Sequence, residues 1–156
     1  SAVYTVPYGV ITPREVDNLL LPVPVSGSHI GFSTLRMEPC WMALGQAAGV
    51  ASALAIDEGV KVRNIPLDKL QDKLVTQQAT LIYYRDVPHT DADFPLVQQM
   101  GLKGYLPGWE ARLDEPVDSE TLAQWRQLSK QALSAVEVGR TTRRNALRMI
   151  CEDEND

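Results

Sequence analysis

A chain of 156 residues has room for one ordinary domain or two small ones. Its 44% hydrophobic and 22% charged residues exclude disordered, collagen-like and low-complexity classes. The net charge of -5, with six Lys+Arg against seven Asp+Glu in residues 1–78 and nine against thirteen in 79–156, excludes a basic nucleic-acid footprint in either half. Cys40 and Cys151 form no C-x-x-C, no disulfide framework and no metal quartet.

Residues 3–36 are turn-rich, with prolines at 7, 13, 22 and 24. The run Leu19-Leu20-Leu21 before Pro22-Val23-Pro24-Val25 predicts a short strand that proline ends or pushes to a sheet edge. It empties into the polar cluster Ser26-Gly27-Ser28-His29, read as a loop. From Pro39 to Ile56 the chain predicts a helix: proline suits the first turn, and Asp57-Glu58-Gly59 supplies a stop. Its only polar side chains are Gln46 and Ser52, so it has no wet face and calls for enclosure on nearly every side. Its length would suit a membrane span. The Ala and Gly content, and the lack of Lys or Arg at its far end, favour a buried soluble helix and no transmembrane segment. Gly45, Gly49 and Ala53 recur every fourth residue as a stripe that another backbone or a flat ligand can approach closely.

A strand-like Val60-Lys61-Val62 follows, then a helix from Pro66 to Gln78 with Leu67, Leu70 and Leu74 on one face. Tyr83-Tyr84-Arg85-Asp86-Val87-Pro88 breaks the pattern and marks a domain boundary. Asp91 to Gly101 carries Phe94, Val97 and Met100 at helical spacing, and Pro107-Gly108 is turn chemistry. Asp118-Ser119-Glu120-Thr121 opens a helix expected to carry Leu122, Trp125, Leu128, Leu133 and Val136. Thr141 to Ile150 is expected as a last helix. Residues 151–156 are expected as a solvated acidic tail.

Chemistry concentrates between Val25 and Gly49. A helix N-terminus offers unpaired N–H groups and a dipole worth roughly half a positive charge, and so attracts an anion. Arg36, three residues before Pro39, adds a full charge at that end. A plain ion pair of Arg36 with Glu38 or Asp57 is the competing reading, and Glu38 also complements the dipole. His29 reads equally as a catalytic group titrating near neutrality and as a hydrogen-bonded strut. His89 reads as solvated and Cys40 as a small core residue. Trp109 and Trp125 read as core anchors, with carbohydrate stacking as the alternative for Trp109 in its glycine-rich loop, and Arg140, Arg143, Arg144 and Arg148 as a solvated helix face.

The ordered blocks Tyr4-Thr5-Val6-Pro7-Tyr8, Asp17-Asn18-Leu19-Leu20, Ser26-Gly27-Ser28-His29, Leu35-Arg36-Met37-Glu38-Pro39 and Ala43-Leu44-Gly45-Gln46-Ala47-Ala48-Gly49 resemble the C-terminal part of FAD-dependent oxidoreductases of the glutathione-reductase-like flavoprotein class. Some bacterial members of that group carry the label xanthan lyase. The resemblance covers residues 3–82. It implies that the helix beginning at Pro39 points its N-terminus at the pyrimidine edge of the flavin, where its dipole and Arg36 stabilise the negative charge of the reduced ring. It further implies Ser26, Ser28, Arg36, Met37, Glu38, Gly45, Gln46 and Gly49 as cofactor-binding residues, with Ser26, Ser28 and His29 lining the loop beside the ribityl chain or the substrate. No G-x-G-x-x-G follows any strand, so the pyrophosphate cradle of FAD is absent from these residues. The chain is therefore expected to be a C-terminal fragment of a larger α/β flavoprotein of Rossmann type. Its first partner would be the missing N-terminal Rossmann domain, and the fragment would be inactive and unable to hold FAD tightly alone.

Tyr84-Arg85-Asp86-Val87, Phe94 to Gly101, Gly104-Tyr105-Leu106-Pro107-Gly108 and Pro116-Val117-Asp118-Ser119-Glu120 resemble one surface-layer homology repeat of bacterial envelope proteins. In that family a T-R-A-E motif opens the second helix, and its arginine helps to bind wall polysaccharide. Asp118-Ser119-Glu120-Thr121 stands there in this chain, without arginine. The expectation is thus a mainly α chain with short β segments near Leu19 and Val60. Residues 3–82 close a flavin site in the parent enzyme, and 83–150 form an appended helical unit. An envelope-associated polysaccharide-binding or structural module is the alternative. The apolar helix would drive homo-oligomer formation if nothing else covered it. No metal ligand set is expected.

Overall fold

The computed structural model describes residues 4–129 and 133–154. The chain divides into two compact units, Thr5–Ala79 and Thr80–Asp156, the latter joined by Ser1–Tyr4. The fold is mainly α. The helices are α1 (His29–Leu35), α2 (Glu38–Glu58), α3 (Leu67–Thr76), α4 (Phe94–Leu102), α5 (Ser119–Leu128) and α6 (Arg143–Glu154). Among the described residues there is no strand, and one isolated antiparallel bridge joins Pro116 to Thr142.

The two short strands expected near Leu19 and Val60 do not form. Pro22 and Pro24 lack N–H donors, so the stretch can bind the 3-10 turn Tyr8–Ile11 only through Leu21 N–H to Ile11 O at 2.8 Å and Ser26 N–H to Val10 O at 2.7 Å. Two bonds bracketing a proline pair hold a loop. Val60 is recruited to the end of α2, where Gly59 takes the left-handed conformation at φ 65° and the Val60 N–H donates to Ala55 O. The chain then turns through a 3-10 segment, Val62–Asn64.

Within Thr5–Ala79, α2 packs against α3 and the 62–64 turn. Leu44, Ala48, Ala51, Leu54 and Ala55 are its buried side chains, at the spacing of one helical face. A small core joins Leu44 and Ala48 to Ile11, Val25 and Leu35, with half-buried Cys40 packed on it. On α3, Leu70 and Leu74 are buried with Val75, whereas Leu67, expected on that face, is 47% exposed in the first turn. Exposed ion pairs Lys61–Asp17, Lys69–Glu58 and Lys73–Asp57 decorate the surface.

Enclosure of α2 on every side is not what this chain provides. Met42 and Ile56 are 76% and 81% exposed, and only one side of the helix is covered. Among the described residues α2 is the one helix long and apolar enough to cross a membrane, with 21 residues and a mean hydropathy of 1.3.

The second unit has a larger core. Tyr84, Phe94, Val97, Met100, Tyr105, Leu113, Val117, Leu122, Trp125 and Leu147 are among its members. Several of its buried polar groups are satisfied within the unit, whereas Arg143 Nε is buried without an acceptor. The side chain of Gln98 is 1% exposed. Its amide oxygen accepts from the N–H groups of Leu81 and Ile82, and its Nε2 donates to Ile82 O. Trp125 Nε1 donates to Tyr105 O at 2.7 Å, and the Tyr84 hydroxyl donates to Leu106 O at 2.8 Å. Burial, with Asp86 nearby, pushes the Tyr84 phenol up to about 12.

Asp118 caps α5 by accepting from Thr121 N–H at 2.7 Å. The helix ends at Leu128, short of the expected Leu133 and Val136, because Ser129 adopts an extended conformation. Those two residues reach the core from outside the helix. Helix α6 runs on to Glu154, through residues expected in the acidic tail; Asn155 and Asp156 lie outside the described residues.

Of the arginines expected as a solvated face, Arg140 precedes α6 and is exposed as expected, but those within α6 are engaged. Arg144 reaches Asp91 at 2.9 Å, Asp93 at 2.6 Å and Asp114 at 3.1 Å, and Arg148 grips both oxygens of Asp93. The Arg144 hydrogen bonds hold the Asp91 carboxyl below its ordinary range. At Asp93 burial pulls upward, but the bonds from Arg148 and Arg144 prevail and the net shift is down.

Candidate functional site

The site sits where α1 hands over to α2. Ser26 and Gly27 are loop, as expected. Ser28 caps α1, its Oγ accepting from Gly31 N–H at 3.1 Å, so His29, expected in the loop, starts a helix instead. His29 is the first residue of that helix and is exposed. Arg36 closes it, its N–H donating to Phe32 O at 3.1 Å. At 1.5 Å per residue, α1 therefore separates His29 from Arg36 by roughly 10 Å. Ser26 and Ser28 stand with His29 at one end, and Arg36, Met37 and Glu38 at the other.

Met37 is the N-cap of α2 and contributes no side-chain hydrogen bond to it. Glu38 and Pro39 open the first turn. Arg36, Met37, Glu38 and Pro39 are all exposed, so the positive end of the α2 dipole faces open surface. The competing ion pair is not made: Arg36 pairs with no acid among the described residues, and Asp57 sits 3.8 Å from Lys73. Trp41, on the same turn, has its indole N–H buried without an acceptor.

The small-residue stripe continues from that end. A Cβ built on Gly45 or Gly49 would meet nothing within 4 Å. Met42, Gly49, Ala53 and Ile56 lie exposed on this side, opposite the buried face of Leu44, Ala48, Ala51 and Ala55. Gln46 is exposed and partly committed, its Nε2 donating to Gln77 Oε1 at 3.2 Å. The Ser52 hydroxyl donates to Ala48 O at 2.8 Å, which removes it as a free polar group.

Other candidates resolve differently. His89 is exposed, stacks on Phe94 at 4.5 Å, and its Nε2 lies 3.0 Å from Thr80 Oγ1. Trp125 is a core anchor, as expected. Trp109 is not: it is 36% exposed, with Tyr83 edge-on at 6.0 Å and the Arg85 guanidinium 5.3 Å from its ring centre. The Asp86 carboxylate, passed over in the sequence, accepts from Ala111 and Arg112 N–H and so fixes the loop that carries Trp109. Its signal is faint, an acid in a boundary segment whose partners lie more than twenty residues away. No group of three or more His, Cys, Asp or Glu that could hold a metal ion occurs among the described residues.

Residues 1–74 match the family model described as FAD dependent oxidoreductase. The match takes in α1, α2 and most of α3, which makes this stretch an FAD-dependent-oxidoreductase-like region, and it ends before the second unit. Comparison with curated proteins and with solved structures finds no match.

Proposed function

We propose that Thr5–Ala79 is the flavin-closing segment of an FAD-dependent oxidoreductase of the glutathione-reductase-like class. A Rossmann unit on polypeptide outside these 156 residues would hold the ADP part of the cofactor. The observation that carries this reading is the uncovered side of α2, with its open glycines, inside the stretch that matches the family. A soluble helix with Met42 and Ile56 in water and two unfilled glycine positions is half of an interface.

The residues present fit one part of FAD, the isoalloxazine, and not its pyrophosphate. An uncapped helix start and a guanidinium at Arg36 that pairs with no acid among the described residues together supply donors and positive charge for an electron-rich ring edge. Gly45 and Gly49 would allow close approach beneath the cofactor unit, with Met37, Glu38 and Gln46 at its margin. Ser26, Ser28 and His29, at the other end of α1, would face the ribityl chain or the substrate. FAD, when bound, supplies the electron-transfer chemistry. These residues orient it and set the charge around it.

The test is the colour of the polypeptide that includes the upstream nucleotide-binding region. It is expected to retain FAD, while the 156-residue chain does not retain it through desalting. Arg36→Ala in the longer protein should lower the flavin midpoint potential and slow reduction, because a positive charge beside the ring is lost. A colourless full-length protein ends the proposal, and an unchanged potential removes Arg36 from its role.

For Thr80–Asp156 we favour a structural cap built like one surface-layer homology repeat. The ring group of Tyr83, 54% exposed, with Trp109 and Arg85 supports a second reading, a polysaccharide contact. Pull-down on bacterial wall material decides: binding lost on Trp109→Ala supports the contact, and no binding leaves the cap.

A further inference from the structure

We draw no further inference here: the strongest candidate, the uncovered Met42–Gly49–Ile56 face of α2, belongs to the site already described, and nothing in the structure shows what else covers it.

Discussion

The two units handle their apolar side chains in opposite ways. In Thr5–Ala79, Ile30, Met37, Met42 and Ile56 are each more than half exposed, and none of them can hydrogen-bond to the water they meet. Among the described residues of the other unit, the large side chains exposed to that degree are Tyr4 and Tyr83, whose hydroxyls suit a wet surface. In each unit a side chain caps a helix, Ser28 on α1 and Asp118 on α5, and each keeps a buried donor without an acceptor, Trp41 Nε1 and Arg143 Nε. The second unit also pairs Arg144 with Asp91 and Asp93. One unit is closed around its own core; the other presents a surface shaped for something more. The difference follows the family match, which stops at residue 74.

The contrast breaks most visibly if the closed unit proves soft. Trp125→Ala removes a side chain 1% exposed and the hydrogen bond it donates to the Tyr105 carbonyl, so a loss of about 3–5 kcal/mol is expected in urea unfolding followed by Tyr fluorescence. A loss under about 1 kcal/mol would mean the core is looser than its burial implies. Gly101→Ala is the next largest. A methyl group there collides with the Tyr84 hydroxyl and crowds Ile82, and overpacking of this kind costs about 1–3 kcal/mol. An unchanged midpoint would show that Tyr84 swings away freely, against its bond to Leu106.

A smaller effect tests the charged cluster. Both Asp91 and Asp93 have carboxyls lowered in the folded state, so the stability they add is present above the unfolded carboxylate value of about 3.9 and is lost as pH falls through the folded values. The unfolding free energy of the second unit from urea titrations should therefore fall between about pH 5 and pH 2, by about 1 kcal/mol. Arg144→Leu should flatten that acid branch. An identical pH profile in the variant would reduce the cluster to decoration.

What the sequence made legible was mostly local. Pro39 and Gly59 bracket α2 to within a residue or two, and Asp118 announces α5, because caps act over one turn. Helix α1 was hidden: seven residues, with Gly31 inside and no acid in the first turn, lean on one serine cap and on burial of Leu35. The partners of Arg144 were hidden for another reason. Asp91 and Asp93 lie more than fifty residues away, and spacing along α6 shows that its arginines share a face without showing what that face meets. At the candidate site the stripe of Gly45, Gly49 and Ala53 was readable from its period. That the chain would bury the face of Leu44, Ala48, Ala51 and Ala55 and leave the stripe open depended on tertiary packing.

The smallest expected change in stability carries the sharpest contrast. Met42 and Ile56 are largely exposed, so replacing both with glutamate should change the unfolding free energy in urea by no more than about 0.5 kcal/mol, the usual range for exposed sites. Association is another matter, because the apolar side chains left in water are the ones a neighbour would cover. We expect the unmodified chain to self-associate with rising concentration in sedimentation, and the double variant Met42→Glu, Ile56→Glu to do so at least tenfold more weakly. In the longer, flavin-binding polypeptide the same pair should disturb cofactor retention, since there the face would be filled from within. A clean monomer at high concentration, with no dye-binding apolar surface, would mean that α2 tolerates water on this side. The distinction between a closed unit and an open one would then disappear.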